Sequence, residues 1–289
     1  MEYFLDMYPQ FASLENAKYV LLPVPYDGTS TFIKGADKGP QAIIDASDSI
    51  ELYDVYTETE SYLSGIYTDK HTYNFSTPET MVQSVRERVT YFLNQEKKIG
   101  ILGGEHSVSI GAIEVFSKKH NDLTVLQIDA HADLRDEYNG SRYNHACVMR
   151  RAQSYAKVVQ VGIRNVCSEE KENIIEENIF YAHKLRHDPD WISKVIDSLS
   201  DHVYLTIDLD GLDPSILPAT GTPLPGGLQW YELMDLLVQV FKSKKVVAFD
   251  VVELCPHPTN RCSDTLAATL VYRIISWMEF YQAATIHSS

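Results

Sequence analysis

Short apolar runs rich in Val and Ile recur along this chain, with helical periodicity between them. Tyr19–Pro23, Ile99–Leu102, Leu123–Ile128, Val158–Val161, Asn178–Ala182, Val203–Ile207 and Val246–Val251 all read as strands. Each run is continuously apolar, which is the pattern of a strand covered on both faces. Pro78–Gln95 places Met81, Val85, Val89 and Phe92 on one face of a helix. Ser76 or Thr77 is set to cap it, and Pro78 falls in its first turn, where a missing N–H costs nothing. Trp230–Phe241 and Asp264–Phe280 are the other clear helices. Strand–helix alternation calls for an α/β fold with a parallel sheet and right-handed crossovers. No linker, repeat or low-complexity stretch divides residues 1–289, so one domain is expected, with Asp213–Gly227 as a long ordered loop.

The chemistry-bearing residues gather at the ends of these strands, the edge where parallel sheets form ligand sites. Leu123–Ile128 is followed by Asp129-Ala130-His131-Ala132-Asp133, whose acids and imidazole are two apart and share a face while the chain stays extended. Val203–Ile207 runs into Asp208-Leu209-Asp210 and then Gly211-Leu212-Asp213-Pro214. Ile99–Leu102 leads to Gly103-Gly104-Glu105-His106-Ser107, whose glycines allow a sharp turn, and a helix is expected just beyond Ser107. His106, Asp129, His131, Asp133, Asp208 and Asp210 make an oxygen-rich, thiol-free set. Crowded ionised carboxylates resist burial unless a cation compensates them. Such donors favour manganese over zinc or copper, with zinc and cobalt as substitutes. Six ligands exceed what one ion needs and suit two ions that share carboxylates and activate a water.

Composition narrows the setting. Apolar residues make up 44% of the 289 and charged residues 22%, an ordinary globular balance. With 25 basic and 40 acidic residues the formal charge is −15, which opposes nucleic acid and anionic lipid and draws small cations to an acidic cleft. No apolar run approaches the ~20 residues that span a bilayer. Met1-Glu2-Tyr3-Phe4-Leu5-Asp6 carries acids where a secretory signal carries bases, so a soluble, cytoplasmic protein without membrane partners is expected. Cys147, Cys167, Cys255 and Cys262 form no C-x-x-C pair and read as reduced thiols.

Gly103-Gly104-Glu105-His106-Ser107, Asp129-Ala130-His131-Ala132-Asp133 and Thr206-Ile207-Asp208-Leu209-Asp210-Gly211-Leu212-Asp213-Pro214 closely resemble, in order and separation, the three signature stretches of the ureohydrolases. That family includes arginase, agmatinase, guanidinobutyrase and formimidoylglutamase, and the similarity runs from about Tyr19 through the C-terminal helix. The resemblance implies a three-layer α/β/α fold with two Mn²⁺ per subunit at the C-terminal ends of the strands. It implies that Asp129 and Asp208 bridge the ions, that His106 and Asp133 complete one site, and that His131 and Asp210 complete the other. His145 matches a histidine at the cleft mouth that shuttles protons, chemistry suited to a side chain titrating near neutral pH. Glu253 matches the acid that grips a guanidinium through paired hydrogen bonds. Asp133 is implied as a proton relay, Asp250 reads as a structural partner, and Gly221–Gly227 resembles a shape-giving Gly/Pro loop. A homo-oligomer, trimer or hexamer, is also implied.

The loop after Asp133 bears on the substrate. Arginases usually carry an Asn two residues after the last motif Asp, where this chain has Arg135 beside Asp136 and Glu137. The stretch from Asp129 to Arg151 looks like that of bacterial and archaeal agmatinases. The expected reaction is therefore hydrolysis of a small cationic guanidino substrate, agmatine, to putrescine and urea, a step of polyamine biosynthesis. Arg135 cuts the other way, because a guanidinium can receive a carboxylate. Guanidinobutyrase, aminopropylagmatine ureohydrolase and arginase activities stand as alternatives. A single-zinc acetylpolyamine deacylase fits less well, since His106 and Asp210 complete a second site. A non-catalytic metal-binding protein fits poorly with His145 and Glu253 both present.

Overall fold

The computed structural model describes residues 3–283. Its strands are β1 (Tyr19–Val24), β2 (Ile66–Thr68), β3 (Lys98–Gly103), β4 (Leu123–Ile128), β5 (Lys157–Ile163), β6 (Ile179–Tyr181), β7 (His202–Asp208) and β8 (Lys245–Val252). They form one sheet in the order β2-β1-β3-β8-β7-β4-β5-β6. Every pairing is parallel. Each predicted strand is present, and the sheet gains β2, a three-residue strand that the sequence reading missed. So short a run, broken by the half-exposed Tyr67, has no periodicity to read.

The helices are α1 (Gly39–Ala46), α2 (Pro78–Leu93), α3 (Ser109–Lys119), α4 (Val148–Ala152), α5 (Ala182–Leu185), α6 (Trp191–Ser198), α7 (Trp230–Ser243) and α8 (Cys262–Ala283). Thr77 caps α2 in a reciprocal box with Thr80, satisfying two donors that the first turn leaves open. Gln229 and Glu232 do the same for α7. The helix expected beyond Ser107 is α3.

Two apolar cores flank the sheet. In β1, Tyr19 and Leu21 face the core built on Ile43, Val195, Leu237 and Trp277, from α1, α6, α7 and α8. Val20, Leu22 and Val24 face the other, built on Val85, Ile113 and Met149 from α2, α3 and α4. This is the expected α/β/α sandwich, and it explains the unbroken apolar strands: successive side chains enter opposite cores.

The strand order positions the site. β3, β8, β7 and β4 are neighbours although their residues span positions 98 to 252. Their C-terminal ends deliver Glu105 and His106, Glu253, Asp208 and Asp210, and Asp129 to Asp133, to one patch. Gly104 lets β3 turn there: a Cβ on it would lie 2.0 Å from the carbonyl oxygen of Tyr26, a backbone atom that cannot step aside. Gly104→Ala is therefore expected to destabilise the protein by ~1–3 kcal/mol or more, the usual scale of overpacking. A thermal melt checks it, and a wild-type Tm would contradict this close approach.

Candidate metal centre and catalytic cleft

The centre forms around His106, which a 3₁₀ turn after β3 buries almost completely. Its Nδ1 is sealed from solvent and makes no hydrogen bond. Three carboxylate oxygens nevertheless converge on it: Asp133 Oδ2 at 3.1 Å, Asp129 Oδ2 at 3.2 Å and Asp208 Oδ2 at 3.3 Å. Alongside, His131 Nδ1 lies 3.1 Å from Asp210 Oδ2 and 3.6 Å from Asp129 Oδ1. His106, Asp129 and Asp208 form one group able to hold a metal ion, and Asp129, His131 and Asp210 form a second. Asp129 belongs to both, the placement of a bridging ligand. Asp208 falls in the first group alone, and its other oxygen accepts the Asp210 N–H at 2.9 Å.

Surrounding hydrogen bonds aim these side chains. Thr206 Oγ donates its single hydrogen to Asp250 Oδ1 at 2.6 Å, and Asp250 also accepts from Tyr204 at 2.7 Å. Thr206 Oγ must then accept from His106 Nε2, 2.8 Å away, so the hydrogen of a neutral His106 sits on Nε2 and the lone pair on Nδ1 faces the carboxylates. Asp250 is thus the structural partner the sequence pointed to. Gln127 Nε2 donates to Asp129 Oδ2 at 2.6 Å and is itself held by Gln160. Asp210 accepts from the Ala130 N–H and from Thr222. Arg164, largely buried, donates to the backbone carbonyls of Asp210 (2.6 Å) and Leu224 (2.8 Å), clamping the Asp208–Asp210 turn to the Gly/Pro loop. Gln127, Gln160 and Thr206 carried a sequence signal that went unread: polar side chains inside otherwise apolar strands.

The donor set fits a divalent pair, and the electrostatics of the buried acids agree with that fit. Burial and then the repulsion of Asp129 push the Asp133 carboxyl up to about 7. Burial, then Asp210 and Asp129, drive Asp208 well above the usual carboxylate range. Burial opposes charge on His131, yet Asp210 and Asp129 raise it to about 12. His106 is raised likewise by its three acids, against its own burial. The imidazoles are thus drawn into holding protons where a metal ion would satisfy the same oxygens.

A cleft of about 260 Å³ opens over this centre, lined by Asp133, His145, Glu253 and Arg135 among others. Glu253 sits in the left-handed region at φ 66, with Oε1 accepting the His106 N–H at 2.8 Å. Asp133 is held similarly at φ 53. Backbone strain of this kind, at two acids facing one cleft, marks positions that the surrounding fold dictates. Burial and then Glu105 keep the Glu253 carboxyl well above its ordinary range. His145 lines the wall as expected, but its pKa is pushed down to about 4, away from neutrality, by burial and then by the charge on His131 and His106. Arg135 is engaged rather than free: it pairs with Glu169 at 2.8 Å and lies over the Tyr138 ring at 4.4 Å.

An eight-stranded parallel sheet with paired His/Asp groups at its C-terminal edge defines a metal-site α/β protein. The chain belongs to the arginase family, whose pattern matches residues 17–276, and it is an enzyme of the ureohydrolase class. The N(1)-aminopropylagmatine ureohydrolase of Synechocystis sp. is 37% identical over 276 residues, covering 92% of this chain and 90% of that one. The agmatinase of Pyrococcus horikoshii is 31% identical over 276 residues, covering 93% and 95%. The solved agmatine ureohydrolase of Thermoplasma volcanium superposes with a TM-score of 0.85 at 29% identity, covering 98% of this chain and 96% of that one. No helix among the described residues is long and apolar enough to cross a membrane.

Two substitutions separate the ligands from their supports. Asp129→Ala is expected to weaken both groups, while Thr206→Val is expected to weaken metal binding at His106 by ~10–100-fold, the usual scale for an outer hydrogen-bonding partner. Calorimetric titration of the metal-free protein with Mn²⁺ reads both. Wild-type affinity in Thr206→Val would contradict its role in aiming His106.

Proposed function

We propose that this ureohydrolase cleaves agmatine to putrescine and urea on two manganese ions, with His106, Asp129, His131, Asp133, Asp208 and Asp210 as ligands. The observation that carries the substrate reading is the state of Arg135. It is the only Lys or Arg among the described cleft residues, and Glu169 and Tyr138 already occupy it. A substrate carboxylate at that end finds no free cation, whereas an ammonium meets a strongly acidic protein.

Held by these six side chains, two such ions would supply Lewis acidity and lower the pKa of a bound water. Glu253 receives the guanidinium through paired hydrogen bonds, and the arriving cation draws its raised carboxyl into the ionised form. Asp133 carries a proton toward the departing amine, and His145 exchanges protons between the cleft and solvent. The cleft walls hold the guanidino carbon in place over the centre.

A second reading keeps the same chemistry with a longer substrate. The relatives at 37% and 36% identity are both named N(1)-aminopropylagmatine ureohydrolases. The cleft lining also includes Phe32, which is 73% exposed, so its mouth is open toward solvent where an added aminopropyl arm would extend.

Urea release with added Mn²⁺ from agmatine, N1-aminopropylagmatine, arginine and guanidinobutyrate decides between these. Agmatine is expected to exceed arginine in kcat/KM by ~10²-fold or more, because an uncompensated carboxylate is costly to desolvate. A tenfold advantage for the aminopropyl compound would establish the second reading, and a preference for arginine would sink both. Guanidinobutyrate turnover that Arg135→Ala abolishes would show Arg135 to be a carboxylate receptor. Separately, His145→Asn is expected to retain metal and fold while kcat falls by ~10²-fold or less. Unchanged turnover across pH would remove His145 from the chemistry.

A further inference from the structure

We infer that Thr29 is the positioning residue that fixes the ring orientation and tautomer of His145, with Glu105 as its buried anchor. The inference rests on the proton-exchange role proposed for His145, and it concerns which ring nitrogen performs that exchange. Thr29 lies in the loop after β1, 116 positions from His145, and nothing in its neighbourhood of sequence marked it out.

The derivation is one of counting hydrogens. The Glu105 side chain is fully buried, beside Thr29 and Ser107. Its Oε2 accepts the Ser107 N–H at 2.7 Å. Its Oε1 accepts Ser107 Oγ–H at 2.9 Å, Thr29 Oγ–H at 2.8 Å and the Thr29 N–H at 3.3 Å. Two backbone N–H groups and two hydroxyls thus converge on Glu105, the surroundings of an acceptor-only carboxylate, so Thr29 donates its hydrogen to it. A hydroxyl has one hydrogen, so only lone pairs remain on Thr29 Oγ for its other two neighbours. These are the His145 backbone N–H at 2.9 Å and the His145 ring Nδ1 at 3.2 Å. A lone pair facing Nδ1 requires a hydrogen on Nδ1. Neutral His145 is then the Nδ1–H tautomer, and Nε2 is its basic atom.

Two further features agree with this assignment. Thr29 grips backbone and ring of the same residue through one oxygen, so the His145 Cα and imidazole are located together. Tyr138 meets the ring edge-on, at 6.2 Å between centroids and 78° between planes, which restrains its rotation. Burial favours the neutral form of His145, the state in which tautomer matters. A serine at position 29 keeps the oxygen and its hydrogen. A valine keeps the shape and loses both.

The test reads the tautomer directly. Ring ¹⁵N-labelled histidine spectra would be recorded for the Zn²⁺-loaded and metal-free protein, for Thr29→Ser and for Thr29→Val, with His145→Asn assigning the signal. Wild type and Thr29→Ser are expected to give the Nδ1–H pattern, and Thr29→Val is expected to shift His145 toward Nε2–H. In the Mn²⁺ enzyme, Thr29→Val is expected to lower kcat about tenfold, within the range of acid–base assistance. KM and metal stoichiometry should stay near wild type, and Thr29→Ser should restore most of the rate. An Nε2–H pattern in the wild type overturns the inference without any variant, as does an unaltered Nδ1–H pattern in a folded Thr29→Val. Absence of urea from every guanidino substrate would instead overturn the proposed reaction, so the two failures are told apart.

Discussion

The molecule is organised around a repulsion. Asp129, Asp133, Asp208, Asp210 and Glu253 are all buried at the end of one sheet, where ionised carboxylates oppose one another and lack water. Without compensation, protons are drawn onto His106 and His131, and the carboxyls of Asp133 and Asp208 are forced upward. A cluster this unfavourable persists only if the scaffold over-determines it. Rigid strand ends, the Arg164 clamp and two acids at positive φ are the means. The folded protein thereby carries a standing demand for positive charge at the end of its sheet.

Hydroxyl groups do the aiming. Thr206 and Thr29 each hand their one hydrogen to a buried carboxylate, Asp250 and Glu105, and offer only lone pairs to a histidine. The outcome differs usefully. His106 is left with a lone pair on Nδ1, among the acids, while His145 is left with one on Nε2. One device thus sets the tautomers of two histidines, the proposed ligand and the proposed proton carrier. It works because a hydroxyl cannot donate twice, whereas water or an amide in the same place would leave the tautomer open.

What could be read from the sequence follows from range. The sheet was legible because Leu123–Ile128 and Val203–Ile207 are long apolar runs, and the six clustered acids and histidines were legible because each closes such a run. β2 was not, being three residues long, nor was α6, whose eight residues have only Trp191 and Val195 fully buried. Thr29, Gln160 and Arg164 act across large separations in sequence, and their roles exist only once the loops after β1 and β3 meet, β5 lies beside β4, and the ends of β5 and β7 come together. The low pKa of His145 was illegible for the same reason, since it depends on which charges stand beside it. At Arg135, sequence left two roles open, and the pairing with Glu169 narrows them.

The strand order carries a consequence for synthesis. β3 and β4 are made early, yet they never touch; β8 and β7 lie between them. As the chain emerges from the ribosome, both early strands present open edges, templates for pairing with the wrong partner, until the last third of the polypeptide arrives. Nor does either metal-holding group exist before then, because Asp208 and Asp210 come at the end of β7. Completion of either group is therefore a late event in the life of the nascent chain, and a ribosome that stops short of residue 210 releases a protein in which neither is assembled.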